Sequence, residues 1–333
     1  MVSVLKRLAL LTVSIFIIIS LSSCGDKTVS GRLFVMDAVA DISLNGTSAD
    51  ISEMEEILDN LGRTLSAYDG GLSSLNDAGK GNMSGDLRDI LEKSEEYYNQ
   101  TDGAFSPYLG SIIELWGVGS KNYVPTESEI QESLASCRAE NVKVSGNTLL
   151  LENGVRLNFG AIAKGYASDI LRDCLIKNKI PSAVISLGGN VYVHGKNGDK
   201  EWNVGIRDPR GSENDYMGII SLSDKFVISS GDYERYFEKD GKRYHHIMDA
   251  KTGRPCESDL LSAVVVSESG TMGDAFSTAV YIMGREKALE FWRRNNNFEL
   301  ILVGRDGKVT VTEGIYGKYV PNGEDYEYEI ARR

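Results

Sequence analysis

The chain has 333 residues, 41% hydrophobic and 25% charged, with 35 Gly, 6 Pro and 4 Cys, a composition that excludes a collagen, a disulfide-stapled miniprotein and a wholly disordered chain. Lys and Arg number 36 against 48 Asp and Glu, giving a formal charge of -12; no basic run is long enough to track a phosphate backbone, so nucleic acid is not an expected partner. At this size about three quarters of the unfolded surface can be buried, and the fold needs no disulfides.

The N-terminus differs in kind from the rest. Lys6 and Arg7 precede an apolar run from Leu8 to Leu21, too short for a comfortable membrane span and ordered like a secretory signal: basic, apolar, then small. The run closes on Leu21-Ser22-Ser23-Cys24, which resembles a bacterial lipobox, the alternatives being an uncleaved anchor or a plain signal peptide with a chance Cys. The expectation is a signal peptide over residues 1–23, a lipidated Cys24, a tether over 24–30 and one catalytic domain over 31–333. Such a protein sits on the extracytoplasmic face of the cell membrane, held by its lipid, because an acidic surface gains nothing from anionic headgroups. Cys137, Cys174 and Cys256 are left as an odd set with neither CxxC nor a His at metal spacing, which argues against a zinc site or a complete disulfide framework. Cys174 falls on the apolar face of a helical pattern and reads as a buried thiol.

In chain order, Leu33 to Leu44 reads as a strand and Ser48 to Leu65 as an amphipathic helix with Met54, Ile57, Leu58 and Leu61 on its apolar face. Tyr68 to Asn82 carries four Gly among Ser, Asn and Asp and reads as a loop, and Asp86 to Asn99 returns to helical spacing. Asn141 to Leu157 suggests short strands about Gly146-Asn147, and a helix follows from Ala163 to Asn178. Ser182 to His194, Trp202 to Ile206, Gly218 to Leu222 and Phe226 to Ser229 read as successive strands. Gly273 to Met283 and Glu286 to Asn295 are helical, and Phe298 to Val303 with Lys308 to Val311 form a hairpin across Asp306-Gly307. The pattern predicts an α+β fold, a mixed sheet core with packed helices in two interleaved lobes, rather than alternating βαβ units.

Four segments hold candidate chemistry. Asn158 to Asp169 (NFGAIAKGYASD) ends a strand and opens a helix; free amides at that helix start with Lys164 suit an anion, and the Gly160 and Ala161 carbonyls suit a cation beside it. It matches neither a P-loop nor a dinucleotide fingerprint, and a plain strand-to-helix turn explains it equally well. Asp274 and Thr278 lie four apart on one helix face, a carboxylate and a hydroxyl of the kind that hold Mg²⁺ with water and phosphate, although an Asp near a helix start and a Thr bonded to its own backbone give the same pattern. His245 and His246 are two of only three His in the chain. On a strand they face opposite ways, so one at most enters a given site, where an Asp such as Asp249 would assist it as a base. Arg207 offers a planar fork for phosphate or a partner for Asp208.

Together and in this order, Met36-Asp37, Ser66-Ala67-Tyr68 through Leu75-Asn76, TDGAFSP with Leu115-Trp116-Gly117, NFGAIAKGYASD, SLGGN, VGIRDP, SSGDYERY, HHIMD with TGRP, and GDAFSTA resemble the ApbE family, the FAD:protein FMN transferases. The resemblance runs from about Met36 to Met283. It implies a Mg²⁺-dependent split of FAD at its diphosphate, with AMP leaving and the FMN phosphoryl group passing to a Thr or Ser hydroxyl of an exported acceptor. It also implies that the Ala161 carbonyl, Asp274 and Thr278 hold the metal, that His246 is the base, and that Met36, Tyr68, Asp102, Lys164 and Arg207 contact FAD. Implied partners are acceptor flavoproteins of extracytosolic redox systems, among them subunits of membrane redox pumps. The chain departs from the family at Asn158, where many members have Asp, at Ala250 in place of Pro, and at Ala38 in place of Thr. Two other readings are a FAD pyrophosphatase on the same scaffold and a non-catalytic flavin-binding lipoprotein.

Overall fold

A computed structural model describes residues 28–212 and 214–333. The expected signal peptide and Cys24 lie outside the described residues. Among the described residues no helix is long and apolar enough to cross a membrane.

The chain opens with β1 (Thr28–Val35) and β2 (Ala38–Asn45), paired antiparallel. The sequence suggested one strand here; the structure breaks it at Met36 and Asp37, whose φ angles of 52° and 54° make the tight left-handed turn that a two-residue hairpin requires. Asp tolerates that conformation, but Met is not a turn former, so composition gives little warning. The helix α1 (Ser48–Leu65) matches its expected span: Thr47 and Asp50 form a reciprocal capping box, and Met54, Leu58, Leu61 and Leu65 are buried. The glycine-rich stretch expected as a loop contains α2 (Gly71–Ala78) and β3 (Lys80–Asn82). Buried Leu72 and Leu75 anchor α2, and Gly79 closes it at φ 67°, a C-cap that outweighs the helix-poor composition.

Next come α3 (Gly85–Gln100), α4 (Gly110–Trp116) and α5 (Glu127–Ser136), then the hairpin β4 (Val142–Ser145) and β5 (Thr148–Leu151), which with β3 forms a small sheet. The helix α6 (Ala163–Lys177) leads into β6 (Ser182–Leu187) and β7 (Asn190–Gly195), followed by β8 (Trp202–Arg207), β9 (Tyr216–Leu222) and β10 (Lys225–Gly231). The short pairs β11 (Tyr236–Lys239) with β12 (Lys242–His245), and β13 (Met248–Asp249) with β14 (Arg254–Pro255), precede the buried β15 (Leu260–Ser267). The chain finishes with α7 (Gly270–Arg294), β16 (Phe298–Gly304), β17 (Lys308–Thr312), α8 (Glu313–Tyr316), β18 (Tyr319–Pro321) and β19 (Glu327–Ala331). The two helical stretches expected around Gly284 are one element broken at that residue, which has φ 74°.

Nine strands form the central sheet in the order β1-β2-β6-β7-β10-β15-β16-β17-β19, antiparallel except for β17 with β19. Its two faces separate by alternation along each strand. Ala263 and Val265 of β15, with Leu300 and Leu302 of β16, join the core under α1, α6 and α7. Val264, Val266, Ile301 and Val303 face the opposite way into a second core, closed by the three-stranded sheet β18-β9-β8. A third cluster of Leu109, Ile112, Trp116, Ile130 and Met248 fastens the β13–β14 turn to α4 and α5, and the buried Trp116 indole donates to the Gly253 carbonyl at 2.8 Å. That contact fixes the segment that follows His246.

Candidate active site

Two cavities meet at the ends of β10 and α6. The first lies among the hairpin tip, α6, α7 and the loop around Phe105. The second lies between the outer face of the central sheet and β8. Asp37, Lys164, Ser229, Glu234 and Arg235 line both and form the septum between them.

The floor of the first cavity is the crossing of α6 and α7. It depends on two glycines: a Cβ on Gly165 would lie 2.1 Å from the Gly270 carbonyl oxygen, and one on Gly270 would lie 2.6 Å from the Gly165 oxygen. This approach brings the Gly165 amide 2.8 Å from Asp274 Oδ2. Asp169, one turn further along α6, holds the start of α7 by accepting from the Gly270 and Thr271 amides, both at 2.9 Å, and from the Thr271 hydroxyl at 2.6 Å. The N-terminus of α7 is thus capped by another helix, and the Asp274 carboxylate one turn later is set against α6.

Asp274 is only 5% exposed, and among the described residues no cationic side chain forms an ion pair with it. A buried carboxylate with a single backbone donor is costly unless a cation or further donors reach it. Thr278, one turn on, has its hydroxyl 3.3 Å from Ser230 Oγ, which also bonds Ser277 at 2.9 Å. Asp274, Thr278 and Ala161 all line the first cavity. One carboxylate, one hydroxyl and one carbonyl are hard oxygen donors; they suit a cation that completes its shell with water and phosphate, and not one that prefers thiolate or imidazole. The residues therefore fit Mg²⁺. Among the described residues no group of three or more His, Cys, Asp or Glu converges on a metal position.

The helix start proved less open to anions than its sequence suggested. The Ala163 amide bonds the Phe159 carbonyl at 2.8 Å, Gly165 bonds Asp274, and Tyr166 bonds the Ile162 carbonyl at 2.9 Å. Positive charge at the septum comes instead from the Lys164 and Arg235 side chains. Gly188, at φ +57°, makes room for Lys164: a Cβ there would lie 3.3 Å from Lys164 Cδ and 2.8 Å from Ala38 Cβ.

His246 closes the site from the β12 side. Its Nδ1 lies 3.2 Å from the Arg235 carbonyl oxygen, which fixes Nδ1 as the protonated nitrogen and leaves Nε2 with a free lone pair. Burial pushes the imidazole down to about 3, reinforced by the positive charges of Arg235 and Lys164, so it is neutral at pH 7. Its neighbour His245 is 6% exposed and bonded to the Cys256 carbonyl at 2.8 Å. Only one of the pair serves the cavity, although the strand expected to set them on opposite faces ends at His245 and His246 lies in the bend just beyond it. Asp249 does not assist His246: its carboxylate accepts from the Lys251 amide at 2.9 Å and the Thr252 hydroxyl at 3.3 Å in its own turn.

Met36 and Tyr68 line the first cavity, the Tyr68 ring 64% exposed and open to a flat ligand. Arg207 lines the second cavity instead, its guanidinium 4.9 Å from the centre of the Tyr233 ring. Asp102 lines neither; it occupies a left-handed turn at φ 51° after α3. Asn158, where the family commonly has Asp, lines the first cavity and accepts from the Gly160 amide at 2.8 Å, a turn bond an Asp makes equally well. Sequence reasoning gave no role to Glu234, Arg235 or Asp169. Glu234 opens onto both cavities while protein surrounds it on its other sides; burial raises its carboxyl above the ordinary glutamate range, Lys164 opposes the rise and Asp274 adds to it. Its place inside the SSGDYERY block was the available signal.

An apolar slot, two cationic side chains, an oxygen-only cation site and a neutral imidazole on one cavity define a site for a phosphate-bearing aromatic ligand and a transfer of its phosphoryl group. The ApbE family model matches residues 36–302, and the chain belongs to the ApbE family. It is 34% identical over 244 residues to the FAD:protein FMN transferase of Treponema pallidum, covering 68% of this chain and 67% of that one. It is 33% identical over 230 residues to the FAD:protein FMN transferase of Klebsiella pneumoniae, covering 68% and 71%. Among solved structures, the ApbE protein of Thermotoga maritima superposes with a TM-score of 0.80 at 30% identity, covering 86% of this chain and 98% of that one.

Proposed function

We propose that this chain is an FAD:protein FMN transferase that uses Mg²⁺ and acts from a lipid anchor at Cys24 on acceptor flavoproteins of extracytosolic redox systems. The observation that carries the reading is the unpaired buried carboxylate of Asp274, on one cavity with Thr278, Ala161 and the neutral His246. FAD fits the first cavity, with Tyr68 and Met36 beside a ring system and Lys164 with Arg235 beside the diphosphate. Asp274, Thr278 and the Ala161 carbonyl would hold Mg²⁺, which neutralises charge on the transferred phosphoryl group.

An acceptor Ser or Thr hydroxyl attacks the phosphorus on the FMN side of the diphosphate. The bond from that phosphorus to the AMP oxygen breaks, AMP leaves with the electron pair, and the hydroxyl proton passes to His246 Nε2. The Arg235 carbonyl holds the imidazole in the tautomer that accepts it. No covalent enzyme intermediate is required, because positioning and charge neutralisation supply most of what phosphoryl transfer asks of a protein.

The test is to incubate the full chain in detergent with FAD, Mg²⁺ and the extracytosolic domain of a redox-pump subunit, then separate the products by chromatography and a denaturing gel. Protein-bound flavin with one AMP per flavin is the expected result. AMP with free FMN would identify the pyrophosphatase, and intact FAD the carrier.

A further inference from the structure

The second cavity has a construction that FAD binding does not explain. Its wall is β8, the last strand in the order β18-β9-β8, with one edge unpaired among the described residues. Side chains alternate across a strand, so a cavity facing one face meets every second residue. This cavity is lined by four consecutive residues, Val204, Gly205, Ile206 and Arg207. It therefore meets the strand edge-on, where backbone N–H and C=O groups point outward. Three of the four pair with β9 at Ile220, Ile219 and Gly218, and Arg207 pairs with Tyr216 after a register shift. The opposite side of β8 is left to the cavity.

The floor is the outer face of the central sheet. Val39 and Asp41 of β2, Ser186 of β6 and Val191 of β7 lie there with the Gly188-Gly189 turn, and nothing lies within 4 Å of a Cβ built on Gly189. The trough ends at the septum of Lys164, Glu234 and Arg235, which also lines the first cavity. It thus leads from solvent to the place where the diphosphate would lie, without passing through the FAD chamber.

We propose that the acceptor protein binds here as an added β-strand: an extended segment pairs with the free edge of β8 and brings its Ser or Thr hydroxyl to the septum. The inference rests on the transferase reading above. An unpaired edge is a template for another chain, main-chain pairing fixes register without demanding a particular sequence, and alternate side chains supply selectivity. The six residues of β8 span about 20 Å at roughly 3.3 Å per residue, room for five or six residues of acceptor. Arg207, held over Tyr233, stands at the inner end of this edge as a positioning residue for the incoming chain.

The test is amide hydrogen exchange on the full chain in detergent with FAD and Mg²⁺, with and without the extracytosolic acceptor domain, its reactive Ser or Thr replaced by Ala so that the complex persists. Protection by at least tenfold is expected at the alternate amides of 203–207 that face the free edge, the others being already directed at β9. In parallel, Gly205→Pro, which removes a main-chain donor from β8, is expected to lower kcat/KM for the acceptor at least tenfold while FAD affinity stays within twofold. The exchange experiment uses the unaltered chain and so stands even if that variant does not fold. Absence of protection at β8 by the Ala-substituted acceptor, at concentrations where the unaltered acceptor is labelled, or protection that grows with enzyme concentration alone and so reports pairing of two copies, would overturn the proposal. Failure of the wild-type chain to bind FAD or release AMP would instead overturn the transferase reading.

Discussion

Gly165→Ala sets two principles against each other. In a helix interior Ala is favoured over Gly by about 1 kcal/mol, so propensity alone predicts a stabilised protein. The structure predicts the reverse, because the new Cβ would lie 2.1 Å from the Gly270 carbonyl oxygen and 2.6 Å from Asp274 Cβ. Both are parts of a helix that cannot rotate aside, so α6 and α7 must separate by about 1 Å. Overpacking of this kind costs about 1–3 kcal/mol, and the bond from the Gly165 amide to Asp274, at 2.8 Å, is charge-assisted and adds about 1.5–3 kcal/mol if it is lost. Against the gain in propensity the net loss is about 1.5–5 kcal/mol, and at an unfolding entropy of about 2.1 cal/mol/K per residue this is a fall in melting temperature of about 2–8 °C. Calorimetry on the full chain in detergent measures the melting temperature, and AMP release from FAD is expected to fall at least tenfold because Asp274 moves with α7. An unchanged or raised melting temperature would refute the account of the helix crossing.

Two further substitutions test neighbouring parts of the site. Asp169→Ala removes the acceptor for the Gly270 and Thr271 amides and is expected to cost about 2–4 kcal/mol in urea unfolding, with Asp169→Asn costing about half as much. His246 has a folded-state value of about 3 against an ordinary 6.5, so between those pH values the unfolded chain binds the extra proton and the fold loses stability as pH falls. His245, also shifted down by burial, acts in the same direction. His246→Gln is therefore expected to flatten the fall of melting temperature from pH 7 to pH 4, and to slow transfer to the acceptor more than it weakens FAD binding; equal losses would make His246 a binding residue.

The elements with a clear period were legible in the sequence. The span of α1 followed from its apolar stripe, and β16 and β17 from the Asp306-Gly307 turn. What was not legible depended on contacts distant in sequence. Met36 adopts a left-handed turn without being a turn former, and α2 persists in a glycine-rich segment because Leu72 and Leu75 reach the core. The candidate site shows the same division. The spacing of Asp274 and Thr278 was visible on one helix; the separate roles of His245 and His246 were anticipated from strand alternation, but the strand ends at His245 and His246 lies in the bend after it. Charges near the septum were not: Glu234 and Arg235 leave β10 in a turn with no period, and Asp169 acts on a helix 101 residues away. Arg207 illustrates the limit of a motif, since its segment matches the family while its side chain lies in the second cavity.

Asp274 is proposed to hold the cation through which this cavity cleaves FAD. The direct measurement is a Mg²⁺ titration of AMP release by the wild-type chain and by Asp274→Asn, which keeps an oxygen for the Gly165 amide but loses the charge. The account predicts saturable Mg²⁺ dependence in the wild type and a loss of about a hundredfold or more in the variant at an unchanged melting temperature. Equal turnover and the same Mg²⁺ dependence in both would contradict it.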